Sequence, residues 1–365
     1  MLRISQVRWL PVAAVVLVLV GCAPFRVAEP PSPPPQGVAR WTPVKWDSLP
    51  GWNGDRVDQA WPALLHSCQR PPTGWAALCA DAVKLQPRGE RDVRRWFEQN
   101  LQPYSIQPLQ GSSPGLLTGY YEPVLTTSRE ATAKFRYPLY GVPADLAQRR
   151  PYWTRQQIDT LPAAQASLGG REIAYVADPL EALVLHIQGS GRMLVTEPGG
   201  KVRTVRLAYA GTNGHPYQSV GRWLIDRGEL APGQASWPEI KAWTQRNPTR
   251  INELLWVNPR YVFFREEPLP DPTLGPRGAQ GVPLTPGRSI AVDPQSVPYG
   301  TPVWIASTEP LSARPLQRIV MAQDTGTAIR GAVRADYFWG WDASAAAKAG
   351  SMKQPLQMWA LWPRR

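Results

Sequence analysis

Proline and glycine punctuate this chain heavily, with 41 prolines and 30 glycines in 365 residues. Proline removes a backbone donor and clashes with the preceding helical turn, while glycine ends regular elements or turns them. A long-helix bundle is therefore excluded, and short strands joined by many turns are favoured. Charged residues make up 19% and hydrophobic ones 43%, so the bulk of the chain folds around a core rather than staying disordered. The length allows one large or two ordinary domains.

A pass along the chain sorts the segments by periodicity. The stretch DQAWPALLHSC begins a helix, and DVRRWFEQNL (92–101) has helical spacing with Val93, Trp96 and Leu101 as buried positions. GLLTGYYEPVL (115–125), EALVLHIQGSGRMLV (181–195) and KVRTVRLAYAG (201–211) read as strands. The second of these is broken by QGSG and resumes; the third buries Val205, Leu207 and Tyr209 on one face. SVGRWLIDRGEL (219–230) and SWPEIKAWTQRN (236–247) return to helical periodicity. Short strands follow in RSIAVDPQSVPYGTPVWIAS, RIVMAQDTG and PLQMWALW. The fold class is α+β, mainly β with some helices. No repeat, dinucleotide glycine fingerprint, nucleophile elbow or phosphate loop is present.

The amino terminus is read as a targeting segment. Arg3 and Arg8 precede the apolar WLPVAAVVLVLV, and small residues lead to Cys22, the layout of a secretory signal. Leu19, Val20, Gly21 and Cys22 resemble a bacterial lipoprotein lipobox. That resemblance implies cleavage before Cys22 and lipidation there, with Ala23 directing the protein to the outer membrane, facing the periplasm of a Gram-negative cell. Residues 1–22 are thus signal and lipobox. The proline-rich 23–40 is a tether extending on the order of 3 Å per residue.

Export frames the remaining composition. In an oxidising compartment Cys68 and Cys79 form one local disulfide or remain two structural thiols. Three histidines without clustered spacing argue against a zinc site, and neither metal nor cofactor is expected. The formal charge of +12 becomes +10 once Arg3 and Arg8 leave. Nucleic acid, the usual partner of a basic chain, does not fit the compartment. A carboxylate-bearing polymer such as peptidoglycan fits place and sign, although a solvated surface would account for the same charge.

Seventeen tryptophans tilt the reading toward carbohydrate, because indole faces pack on sugar rings; most are assigned to the core. Two carboxylates stand out in AQDTGTAIRGAVRADYFWG (322–340). Asp336, flanked by Ala335, Tyr337, Phe338 and Trp339, has the apolar setting that raises an acid's pKa for general-acid work on a glycosidic bond. Asp324, followed by Thr325 and Gly326, reads as a turn-capping anion.

Six ordered blocks carry a resemblance: TGYYEP (118–123), HIQGSGR (186–192), YAGTNGHPYQSVGRWLIDRGEL (209–230), NPRYVFF (258–264), SIAVDPQSVPYGTPVWI (289–305) and DTGTAIRGAVRADYFWG (324–340). Together they resemble the membrane-bound lytic murein transglycosylase A family, from about residue 41 to the end. The resemblance implies a double-psi β-barrel built from 41–124 and 266–365. A smaller β domain, 125–265, is inserted into it, and a glycan groove runs between the two.

It implies a lyase that cuts the peptidoglycan strand between N-acetylmuramic acid and N-acetylglucosamine and leaves a 1,6-anhydro end. Asp336 would serve as the single acid and base, supported by Asp324 and Asp293, the latter pinning a turn. Thr118, Gly119, Tyr120, Tyr121 and Glu122 would meet sugar at the domain junction, and Gln188, Gly189 and Ser190 would let backbone approach it. For both groups hinge packing is the competing role. Tyr209 and Asn213 would line the groove from the insert, and His186 would be a buried imidazole within an apolar strand. Partners implied are glycan strands, the membrane through the lipid, and cell-wall synthesis proteins. A plain glycan hydrolase and a catalytically silent peptidoglycan-binding scaffold remain as alternatives.

Overall fold

The computed structural model describes residues 37–110 and 114–364. The signal segment, Cys22 and the tether through residue 36 lie outside the described residues. Strands in chain order are β1 (Ala39–Pro43), β2 (Leu101–Pro108), β3 (Gly115–Tyr120), β4 (Val124–Ser128), β5 (Tyr137–Tyr140), β6 (Glu172–Val176) and β7 (Gly191–Thr196). They continue with β8 (Val202–Thr212), β9 (Val262–Pro268), β10 (Ser289–Val292), β11 (Pro302–Thr308), β12 (Pro315–Asp324), β13 (Arg334–Phe338) and β14 (Lys353–Pro363).

One sheet runs β1-β2-β14-β11-β12-β10-β13-β3, and β3 pairs again with β14. That last pairing closes six strands, from β14 round to β3, into the expected barrel. β14 manages both neighbours on one edge by splitting its length: Lys353–Leu356 pair with β3, and Trp359–Pro363 with β2. Two pairs in the ring, β10–β12 and β13–β3, are parallel, and the others are antiparallel.

Alternation along these strands divides the apolar residues between two faces. Leu117, Ile290, Val303, Val320, Ala335 and Tyr337 fill the barrel interior. Trp304, Ile319, Met321 and Trp359 point outward against helices Trp61–Ser67, Ala76–Lys84 and Glu90–Asn100, which contribute Trp61, Trp96 and Phe97, with Trp75 capping the second. Much of the tryptophan excess is therefore core, as expected. Cys68 is bonded to Cys79, with Cα atoms 5.2 Å apart, tying the first two of these helices together; the two-thiol alternative does not hold.

The second sheet, β5-β6-β4-β7-β8-β9, spans Val124 to Pro268. Helices Val220–Asp226, Trp237–Arg246 and Ile251–Val257 form a separate apolar layer around Leu224, Trp243 and Leu254. These sheet limits move the expected boundaries slightly. Ala39 and Arg40, read as tether, already belong to β1, and β9 carries the second sheet three residues beyond 265.

Three local expectations are corrected. Residues 181–188 are helical, not extended, within helix Pro179–Gln188. Asp178 accepts from the Leu180 N–H at 2.9 Å, Pro179 occupies the first turn, and Gly189 closes the helix at φ 81°, a start and stop that outweigh the apolar run. The 115–125 segment is two strands, β3 and β4, joined by Tyr121–Pro123. Tyr209 is 46% exposed, unlike Val205 and Leu207, and the β8–β9 register shifts just beyond it, between Tyr209 and Gly211.

Candidate active site

Four residues form a row across the barrel wall. Ala291 on β10 lies opposite Asp336 of β13 on one side and Asp324 of β12 on the other. Thr118 on β3 is the neighbour of Asp336 on its far side. Two strand spacings separate the backbones of the acids, about 9–10 Å. The row depends on an irregularity. Ile290 pairs with Ala322, but Ala291 pairs with Asp324, so Gln323 is skipped. Such a bulge re-aims the next side chain. The Gln323 side chain is buried, donating to the Ala63 carbonyl and to Ser67 Oγ, both at 2.9 Å.

The acids face a groove of about 720 Å³ bounded by the barrel end and the inserted sheet. The barrel lends it Tyr120, Asp324 and Asp336; the insert lends Gln188, Gly189, Ser190 and Tyr209. Asp336 is half-buried and receives a 2.6 Å hydrogen bond from Thr118 Oγ1 on Oδ1. Its pKa is pushed up to about 6, chiefly by burial; the Thr118 hydroxyl and Arg334 lower it, and Asp324 raises it. The desolvation does not come from Ala335 and Tyr337 as sequence neighbours suggest: strand alternation turns both into the barrel interior.

Asp324 differs from expectation in the direction of its pKa as well as in role. It accepts from the Ala279 N–H at 2.9 Å and from Tyr120 Oη at 3.0 Å, so it ties β3 to a distant loop rather than only capping its own turn. Burial raises its pKa despite these bonds. Tyr120 is held far above its usual range by burial and by both aspartates, so it remains a proton donor to Asp324. Asp293 does pin a turn, accepting from the N–H groups of Gln295 at 3.1 Å and Gly331 at 3.0 Å.

The junction residues divide between groove and hinge. Gly119 lies where a Cβ would come within 2.9 Å of Ala349 Cα and 2.8 Å of Trp339 Nε1. The Tyr121 N–H donates to Gln188 Oε1 at 3.0 Å, stitching the linker to the insert. Glu122 does not face sugar. Its side chain is fully buried and bridges Arg192 at 2.8 Å and Arg206 at 2.7 Å. Those guanidiniums also donate to the Pro272 and Leu274 carbonyls, and Arg192 stacks 3.6 Å from the Trp341 ring centroid. Asn213 likewise leaves the groove: it is buried, donates to the Trp153 and Pro259 carbonyls, and accepts from Tyr261 N–H. Buried amides that satisfy nearby backbone groups cost less than unpaired ones, and here that role takes the whole side chain.

His186 is buried, though on a helix, and lines the groove. Arg155 Nη2 sits 2.8 Å from its Nδ1. A guanidinium only donates, so Nδ1 accepts and the proton resides on Nε2, which has no partner. Burial and Arg155 together hold the imidazole well below its usual pKa. Among the described residues no group of three or more His, Cys, Asp or Glu is placed to hold a metal ion. Groove residues not anticipated from sequence include Arg260, Arg265, Arg277, Arg330 and Arg334. Two of them, Arg330 and Arg334, stand between the acids in the 324–340 segment, and that proximity was the available signal.

Comparison with known proteins bears on this arrangement. Residues 116–265 match the model of the MltA specific insert domain, and residues 288–362 match the 3D domain. The membrane-bound lytic murein transglycosylase A of Vibrio cholerae is 31% identical over 301 residues, covering 77% of each chain. The chain belongs to the membrane-bound lytic murein transglycosylase A family. Solved structures of the family agree over nearly the whole length. The lytic transglycosylase LtgG of Burkholderia pseudomallei is 45% identical, with a TM-score of 0.64, covering 93% of this chain and 100% of that one. MltA from Neisseria gonorrhoeae, in its monoclinic form, is 35% identical with a TM-score of 0.76, covering 93% and 98%. The insert match begins within β3, which is the strand that closes the barrel and leads into the second sheet.

Proposed function

We propose that this lytic transglycosylase cleaves the β-1,4 bond between N-acetylmuramic acid and N-acetylglucosamine, with Asp336 as its one acid and base. The observation that carries the reading is a groove-facing carboxyl raised to about 6, able to hold a proton near neutrality and to give it up. Thr118 occupies Oδ1, which leaves Oδ2 free to carry that proton. The Asp336 carboxyl protonates the glycosidic oxygen as the bond to C1 breaks and oxocarbenium character develops. The resulting carboxylate then takes the proton from the C6 hydroxyl of the same sugar, whose oxygen closes on C1. The nucleophile is already part of the substrate, so proximity replaces an enzymic nucleophile or a bound water. Tyr120 and Asp324 brace the row, while Gln188, Gly189, Ser190 and Tyr209 form the opposing wall for the strand.

The family relatives are membrane-bound by name, and this is a membrane-associated bacterial protein. No helix among the described residues is long and apolar enough to cross a membrane. Acylation at Cys22 supplies the attachment in this reading, with the residues from 23 up to β1 as spacer and the outer membrane as destination. Digestion of murein sacculi tests the activity. Wild type releases fragments with anhydromuramic ends, each lighter by one water than a hydrolysis product, and Asp336→Asn binds sacculi without releasing them. Hydrated ends, or full turnover by Asp336→Asn, would refute the assignment.

A further inference from the structure

The groove carries more positive charge than cleavage of a neutral sugar backbone requires. Five arginines line it (Arg260, Arg265, Arg277, Arg330 and Arg334), whereas its acids are Asp324 and Asp336. Burial disfavours the charged form of both acids. Arg265 is neutralised by Glu267 at 2.6 Å. Arg330 reaches Asp293 only at 3.8 Å, and its side chain is 61% exposed. Arg277 donates to the Gly281 carbonyl at 3.0 Å. Among the described residues, Arg260, Arg277 and Arg334 have no carboxylate within ion-pairing distance.

The excess comes from both walls, with Arg277, Arg330 and Arg334 on the barrel side and Arg260 on the insert side. Sugar hydroxyls and acetamido groups do not need guanidiniums, whereas a carboxylate is matched by one in charge and in fork geometry. On a strand of alternating N-acetylglucosamine and N-acetylmuramic acid, the anionic groups are the lactyl carboxylate where it is free and, where a stem peptide is amide-linked to it, the carboxylates of that peptide. Resting on the function proposed above, we propose that Arg260, Arg277 and Arg330 form a carboxylate-reading rim that selects glycan by its muramoyl substituent. Arg334 is set apart because it faces the reacting carboxyl. Two sources present the same chemistry: the lactyl carboxylate of a peptide-free strand, and the carboxylates of the stem peptide.

The experiment measures binding to full-length Asp336→Asn protein, so that no probe is consumed. Three probes of matched length are used: a neutral N-acetylglucosamine hexamer, a peptide-stripped glycan hexamer with free lactyl carboxylates, and a hexamer carrying stem peptides. At low salt, at least one charged probe binds tenfold or more tighter than the neutral one, and the advantage shrinks in 0.5 M sodium chloride through screening. Tight binding of the stripped strand assigns the lactyl group; tight binding of the peptide-bearing strand alone assigns the peptide. Adding Arg277→Gln and Arg330→Gln reduces the advantage to below threefold, whereas Arg277→Lys with Arg330→Lys keeps most of it.

Equal affinity for all three probes overturns the rim, as does a lysine pair that loses the advantage as fully as the glutamine pair, since that loss would be structural. The proposed function fails by a different signature: wild type that releases no anhydro ends from sacculi. Release of anhydro ends with no preference among probes removes the rim alone.

Discussion

Thr118→Val isolates what one hydroxyl does to the proposed acid. The Thr118 bond of 2.6 Å favours ionised Asp336. A hydrogen bond to a charged group contributes about 1.5–3 kcal/mol, but a neutral carboxyl also accepts one, so the difference between the two forms is about 1–1.5 kcal/mol. At 1.36 kcal/mol per unit that is about one pKa unit, moving Asp336 from about 6 to about 7. Valine preserves shape and suits a strand, so β3 stays in register. An acid must be protonated to begin, so kcat/KM falls as pH rises through the pKa of the free enzyme. The falling limb should therefore move about one pH unit upward in Thr118→Val. At pH 7.5 its protonated fraction is about eightfold that of wild type, whatever happens to the plateau as the carboxyl loses its orientation. The assay follows anhydro-end release from soluble glycan strands between pH 4.5 and 8.5. A limb that stays in place, or moves toward lower pH, would refute the claim that this bond tunes the acid.

Four further outcomes are expected. Asp336→Asn should be more stable than wild type at pH 7.5, because ionising a carboxyl whose pKa rises on folding from 3.8 to about 6 costs up to about 3 kcal/mol, cut to about 1–2 by the open groove. The gain of about 2–3 °C in Tm should nearly vanish at pH 3.5, where the folded-state aspartate is neutral and the unfolded-state one largely so; an unchanged difference across this range would contradict the burial argument. Glu122→Gln leaves Arg192 and Arg206 buried without an anion and should lower unfolding stability by about 3–5 kcal/mol, a loss under 1 kcal/mol in urea titration counting against the buried bridge. Gly119→Ala should cost about 1–3 kcal/mol by overpacking against Ala349 and Trp339 and reduce turnover, which thermal melts and anhydro-end release would check. His186 should show the neutral, Nε2-protonated form by nitrogen NMR from pH 5.5 to 8; an imidazolium signal in that range would remove Arg155 as the group that sets it.

What could be read from the residues, and what could not, follows from the range of the interactions. The turns around 289–305 and the helical spacing of 92–101 are written within a few residues, and both appear where expected. The apolar run at 181–188 reads as a strand although its helix markers are local: Asp178, Pro179 and Gly189 bracket it, but period alone does not separate a short buried helix from a strand. The sequence singles out Asp336, which does face the groove with a raised pKa, but not the reason for that pKa. Its neighbours Ala335 and Tyr337 turn into the barrel interior, and its hydrogen-bond partner, Thr118, is 218 residues distant. The skipped Gln323 that brings Asp324 opposite Ala291 leaves no trace in composition. The resemblance places Glu122 at the junction and Asn213 in the groove wall as sugar contacts, and nothing local in the sequence contradicts it. The arginines and backbone carbonyls that claim them come from β7, β8 and the 259–274 region.

The fold makes one strand answer for both halves of the task. β3 closes the barrel through β14 and aligns Thr118 with Asp336, then runs through Tyr121–Pro123 into the first strand of the insert. A one-residue slip of β3 along β13 would move the Thr118 hydroxyl to the opposite face and shift the linker that Gln188 and the Glu122 bridge hold in place. Sheet closure, the ionisation of the proposed acid and the position of the opposing groove wall are consequently one constraint. A single carboxyl that must act first as acid and then as base tolerates little drift in pKa. Opposing influences of burial, Thr118, Arg334 and Asp324 hold it near the middle of its useful range only while that register is kept. This supplies a physical reason for the inserted sheet to emerge from the closing strand rather than from a peripheral loop: the groove cannot form with the acid mistuned.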